Sequence, residues 1–174
     1  MNYAEIKTTD IANGEGVRVS LFVSGCTHHC KNCFNEIAWD FHYGKPFTKE
    51  TQEFLLKALA PDYIAGLSLL GGEPFEPQNQ KGLLPFVEKF KKEFPHKTVW
   101  CYTGYTYQDG GSLKEERANC KETKKLLSLI DVLVDGRFVE ELKDIRLKFR
   151  GSSNQRVIDL KRSLESGSTV LYLT

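Results

Sequence analysis

Cys26, Cys30 and Cys33 fall within eight positions of a 174-residue chain, in the stretch SGCTHHCKNCFN. Thiolates are soft ligands suited to zinc or to iron–sulfur clusters. The chain has five cysteines, an odd number with three crowded together, which does not describe a disulfide framework and points to metal or redox chemistry. A structural zinc site wants four Cys or His ligands, usually as two paired hooks. His28 and His29 are too close in sequence to complete a tetrahedron without strain, and Cys101 and Cys120 stand alone, so the second hook is missing. Three cysteines instead suggest a cubane with one iron left open, and an open coordination position is what separates catalytic from structural metal sites.

These residues need a scaffold. Val17, Val19, Leu21 and Val23 alternate along GVRVSLFVSG and predict a buried strand whose carboxyl end delivers the cysteine loop. PFTKETQEFLLKALAP predicts a helix, with Thr48 or Thr51 as N-cap, Phe54, Leu55, Ala58 and Leu59 on its apolar face, and Pro61 as its stop. IAGLSLLGGEP is a second strand ending in two glycines, and GLLPFVEKFKKEF a helix burying Leu83, Phe86, Val87, Phe90 and Phe94. KTVWCYTGY, CKETKKLLSLI (Leu126, Leu127, Ile130) and DVLVDG continue the alternation as strand, helix and strand. The order predicts one α/β domain over residues 1–174 with a mainly parallel sheet, whose right-handed crossovers gather the strand carboxyl ends on one edge. The cysteine loop, GGEP, YTGY and VDGRF then converge on one cleft. QDGGSLKEERAN, with Gly110 and Gly111, reads as an exposed insertion.

Composition excludes several classes. Twenty-four Lys and Arg against 23 Asp and Glu give a formal charge of +1, no basic footprint for nucleic acid. No signal pattern and no apolar run of membrane-spanning length is present, so a cytoplasmic protein is expected.

CxxxCxxC after the first strand of an α/β domain resembles the radical S-adenosylmethionine (SAM) enzymes. The resemblance implies an incomplete TIM-like β/α barrel. It also implies one 4Fe-4S cluster per chain on Cys26, Cys30 and Cys33, with SAM occupying the open iron. Asn32 and Phe34 flank Cys33 where many members place the aromatic before the last cysteine; Asn32, Cys33 and Phe34 are expected along the SAM adenine. Gly71, Gly72 and Glu73 of GGEP, alone a Gly-rich turn with a surface glutamate, look in this context like the motif that meets the SAM amine. Gly72→Val is expected to weaken SAM binding and spare iron.

NGEGVRVSLFVSGC is similar to glycyl-radical activating enzymes, although Glu15 stands where a proline is common. VDGRFVEELKD and FRGSSNQRVID are similar to the anaerobic ribonucleoside-triphosphate reductase activating proteins. The match runs from Asn2 to about Leu164 and leaves Lys161–Thr174 largely unrecognised. It implies reductive cleavage of SAM to a 5′-deoxyadenosyl radical, which takes hydrogen from a glycine of the anaerobic (class III) ribonucleotide reductase. A flavodoxin-like protein would supply the electron.

Two alternatives stay open: an activase of pyruvate formate-lyase or another glycyl-radical enzyme, and a non-enzymatic iron–sulfur or zinc module. Thr103 and Gly104 are candidates for the SAM ribose and equally a strand-end turn; Asp135, which alone reads as a strand-to-turn exit, is by its place at a strand end a candidate cleft carboxylate near SAM or a cation. Arg150, Asn154, Gln155 and Arg156 are either a polar turn or the lining of a peptide channel. Cys101 is expected in the core, Cys120 has no assigned role, and His28 and His29 read as exposed loop residues, the lesser alternative being that they protonate or position something near the cluster.

Overall fold

In the computed structural model, which describes residues 1–174, the chain begins with a strand that the sequence reading does not assign, β1 (Asn2–Asp10). It runs antiparallel to β2 (Val17–Val23), the predicted strand that leads into the cysteine loop. The short β3 (Lys45–Pro46) pairs with β1. Helix α1 (Lys49–Leu59) is capped by Thr48, whose hydroxyl accepts the Thr51 N–H. It buries Leu55, Leu56 and Leu59 while Phe54 stays half exposed, so the apolar face is rotated by one position from the predicted one. Then follow β4 (Ile64–Gly71), α2 (Pro77–Glu93) and β5 (Thr98–Tyr102).

The expected exposed insertion is instead a small hairpin, β6 (Tyr107–Gln108) and β7 (Ser112–Leu113). Its Tyr107, Leu113 and the following Ala118 pack into the core. Helix α3 (Thr123–Leu129), β8 (Val132–Asp135), β9 (Arg156–Asp159), α4 (Leu160–Ser166) and β10 (Leu171–Leu173) complete the chain. The tail that the resemblance leaves unrecognised is therefore α4 and an edge strand.

Eight strands form one sheet in the order β10-β9-β8-β5-β4-β2-β1-β3. The four predicted strands are its parallel centre, β2-β4-β5-β8. Both flanks are antiparallel, so the expected parallel sheet is present as the centre of a larger mixed one. At one flank the reason is connection type: β1 returns to β2 through a short turn at residues 11–16, too short for a parallel crossover. The sheet is open at β3 and β10 and does not close into a barrel.

All four helices contribute to one 26-residue core on a single sheet face, against Val19, Leu21, Leu67, Leu69, Val99, Cys101 and Leu133. Cys101 is wholly buried there, as expected. Each large aliphatic or aromatic side chain so buried contributes about 1.5–3 kcal/mol. The opposite face is mixed. At the strand amino ends, buried Arg18 uses its guanidinium donors on Ser68 Oγ, Thr98 Oγ1 and the carbonyls of Glu15, Leu67 and Thr98. Burial with no carboxylate in contact lowers its pKa to about 10. That network closes the end of the sheet away from the cysteines, and the strand carboxyl ends are left to form the cleft.

Candidate functional site

Beyond β2, the backbone turns at Gly25 and the cysteine loop is closed by two bonds: Gly25 N–H donates to Ala38 C=O at 2.7 Å and Cys26 N–H to Trp39 C=O at 3.1 Å. Left-handed φ angles of 51° at His29 and 56° at Asn32 curl the chain between these ends. The loop is stitched to the β4 exit: Gly72 N–H donates to Val23 C=O and Glu73 N–H to Gly25 C=O, both at 2.8 Å. This approach needs a glycine, because a Cβ at Gly72 would lie 2.6 Å from Gly25 O and 2.9 Å from Ala38 O.

A cavity of about 370 Å³ opens where these segments meet. Cys26, Cys30, Cys33 and Phe34 wall it from the loop, Gly71, Gly72 and Glu73 from the β4 exit, and Thr103 and Gly104 from the β5 exit. Gly136, Arg150 and Gln155 wall it from the segment after β8. Four separate strand-end motifs thus meet at one cavity, as their order along the chain predicts. Phe34 is 90 % exposed and so stands at the rim.

Two proposed contacts lie elsewhere. Asn32 is exposed and is not among the wall residues. Asp135 is 1 % exposed and also does not reach the cavity: its carboxylate accepts from the Arg156 guanidinium and from Tyr107 N–H. It is the neighbouring Gly136 that does. Arg156 is spent in that ion pair and Asn154 donates to Arg137 C=O, so of the four polar residues considered for a channel only Arg150 and Gln155 face it.

The thiols have no disulfide partners. Burial pushes the Cys26 thiol up to about 12, helped by the nearby Glu73 charge, and burial followed by the Cys33 charge raises Cys30. Such groups are neutral thiols at neutral pH rather than reactive nucleophiles, and a bound metal releases their protons. No three His, Cys, Asp or Glu side chains converge closely enough to hold a single metal ion. Three thiols distributed along one cavity wall suit a group several ångströms across that keeps a face open to the cavity. Two further wall residues, Trp39 and Tyr102, carry buried polar atoms (Nε1 and Oη) with no protein partner.

The sequence reading favours exposure for both loop histidines and does not single out Glu76. His28, read as exposed, has a side chain only 4 % exposed and lies 2.6 Å from Glu73 Oε1. His29 is exposed but stacks on Trp39 with ring centroids 4.2 Å apart. Glu76 is fully buried at the start of α2 and accepts from Thr27, Tyr105 and Arg117. Its position three residues after Glu73 is the only signal the sequence offers. Cys120, on the far side of α2's start, contacts Gln80 and Thr123 and has no part in the cavity.

The 4Fe-4S single cluster domain family matches residues 12–158. The anaerobic ribonucleoside-triphosphate reductase-activating protein of Pasteurella multocida is 45 % identical over 157 residues, covering 89 % of this chain and 95 % of that protein. The protein of the same name from Escherichia coli K12 is 42 % identical over 163 residues, covering 92 % and 100 %. That of Enterobacteria phage T4 is 39 % identical over 157 residues, covering 90 % and 93 %. No helix is long and apolar enough to cross a membrane.

Proposed function

Because the chain belongs to the anaerobic ribonucleoside-triphosphate reductase-activating proteins and carries their 4Fe-4S single cluster domain, we propose that it activates the anaerobic ribonucleotide reductase as a radical SAM enzyme. The observation that carries this reading is the shared cavity, in which Cys26, Cys30 and Cys33 face the glycines and carboxylate of GGEP. The three thiolates would hold the cluster. When bound, cluster and SAM together supply one-electron cleavage of SAM to methionine and a 5′-deoxyadenosyl radical that takes hydrogen from a glycine of the partner.

The protein's own residues bind, orient and exclude water. Leu70, Val134, Phe138 and Phe149 give the cavity apolar wall, which limits quenching of a reactive species by solvent. Glu73 places a buried negative charge beside Cys26, a field that favours a cationic ligand such as the SAM sulfonium and ammonium. Gly71, Gly72 and Thr103 line the same space, and Phe34 at the rim would cover the adenine. Arg150 and Gln155 would meet the entering glycine-bearing peptide.

With helices on one face and an open edge, the domain is consistent with an incomplete TIM-like barrel of the radical SAM type. A flavodoxin-like protein in the cytoplasm would reduce the cluster. The relatives' names favour the reductase over pyruvate formate-lyase as target. The test is anaerobic reconstitution, reduction and addition of SAM: methionine and 5′-deoxyadenosine should accumulate in equal amounts. Iron-loaded, reduced protein that leaves SAM intact would remove this reading.

A further inference from the structure

Thr27, His28 and His29 separate the first two cysteines, and only the central side chain is enclosed. His28 occupies a socket built for an imidazole. Its Nε2 lies 2.6 Å from Glu73 Oε1, its ring packs edge-on against Tyr105 with centroids 4.4 Å apart, and Gly104 stands next to the ring. A Cβ at Gly104 would come 2.6 Å from Nε2, so a side chain there would evict the ring. The socket's walls come from the exits of β4 and β5, whereas the imidazole comes from the cysteine loop after β2.

Glu73 shows why this matters. An ionised carboxylate has about four lone-pair sites. Oε1 accepts from His28 at 2.6 Å and from Gly104 N–H at 2.7 Å; Oε2 accepts from Phe75 N–H and Thr103 Oγ1, each at 2.8 Å. All four are taken by the protein. Glu73 therefore has no free site for direct contact with a ligand ammonium while His28 is in place, and its hydrogen bonds instead tie three strand-end loops together.

The geometry points to His28 as a positioning residue: by donating to Glu73 it fixes the cysteine loop at a set distance from the β4 and β5 exits, and so sets the thiols relative to the SAM subsite. This rests on the SAM reading above. Partners that orient metal-ligating groups typically change affinity 10–100-fold when removed, and a loop pinned before binding loses less conformational entropy on binding.

The test uses the reconstituted protein under anaerobic conditions with three variants: His28→Ala, His28→Gln and Gly104→Val. Folding is checked by circular dichroism. Two quantities are read: the rate at which a chelator strips iron, and the dissociation constant for SAM. His28→Ala should speed iron loss and weaken SAM about tenfold each. Gly104→Val, which displaces the ring without touching it chemically, should do the same. His28→Gln, whose amide N–H can reach Glu73, should restore most of both. Iron retention and SAM affinity within twofold of the parent in His28→Ala would overturn the inference. So would failure of glutamine to rescue, because the loss would then belong to packing. If the parent protein itself does not bind SAM, the functional reading fails, and the iron-release series still decides the role of His28.

Discussion

Thr27 gives both its backbone N–H and its hydroxyl to a single oxygen of Glu76, at 3.0 and 2.6 Å. The residue beside the first cysteine is thereby held by a carboxylate at the start of α2, and Arg117 from the segment after β7 holds that carboxylate's other oxygen at 2.8 Å. Burial by itself would raise the Glu76 pKa; the hydrogen bonds from Thr27 and Arg117 outweigh it and hold the group below its ordinary value of 4.5.

The consequence is a defined acid limb. A carboxyl with a lowered folded pKa contributes its full stability above the ordinary glutamate value and loses it as pH falls through the lowered one. Thermal melts of the protein should show Tm falling as pH drops below about 4.5. In Glu76→Gln this part of the fall should be absent, with a lower Tm at neutral pH because Arg117 loses its charge partner. Parallel acid limbs in parent and variant would contradict the assignment.

The three cysteines should separate from the other two by iron content. After anaerobic reconstitution the parent should bind about four irons per chain, and Cys26→Ala, Cys30→Ala or Cys33→Ala should each lose the cluster absorbance. Cys101→Ala and Cys120→Ala should retain it, with Cys101→Ala less stable by about 1–2 kcal/mol for a small side chain removed from a fully buried site. Stoichiometric zinc without sulfide in protein purified anaerobically would oppose the cluster.

Gly72→Val carries a corrected expectation. The sequence suggests a change confined to SAM, but the added Cβ meets the carbonyls of Gly25 and Ala38, which belong to the cysteine loop. Iron content and SAM affinity should therefore fall together. A folded variant with full iron and weakened SAM binding would restore the original expectation.

Arg150 and Arg156 should now part company. Arg156 pairs with Asp135, itself only 1 % exposed, so Arg156→Ala should cost about 1–3 kcal/mol in denaturant unfolding by leaving a buried carboxylate with only its Tyr107 N–H bond. Arg150 faces the cavity, and Arg150→Ala should lower activation of the partner while uncoupled SAM cleavage stays within about twofold. Equal effects of the two substitutions on stability would undo this distinction.

The parallel centre of the sheet was legible because β2, β4, β5 and β8 are apolar runs separated by helix-period segments, and the cysteine spacing pointed to the iron–sulfur class that the family match supports. The antiparallel flanks were not: all of β1 but Asp10 is half-exposed or exposed, and NYAEIKTTD carries no clean alternation. β9 and β10 are three or four residues long, too short for periodicity to mark them. Within the site, the wall residues followed from strand ends, whereas His28 and Asp135 exchanged apparent roles. A histidine in a polar loop gives no sign that Gly104, 76 positions on, leaves room for its ring. Likewise, nothing in VDGRF shows that Asp135 will be taken by Arg156 on the next strand.

The central claim is that the cavity delivers a radical to a glycine of one partner. Its most direct measurement is electron paramagnetic resonance of the anaerobic ribonucleotide reductase after incubation with the reconstituted, reduced protein and SAM. A glycyl-radical doublet should appear in the reductase, should be absent with Cys30→Ala, and should not appear in pyruvate formate-lyase treated in the same way. A reductase that stays silent while SAM is consumed, or a signal in pyruvate formate-lyase alone, would contradict the account.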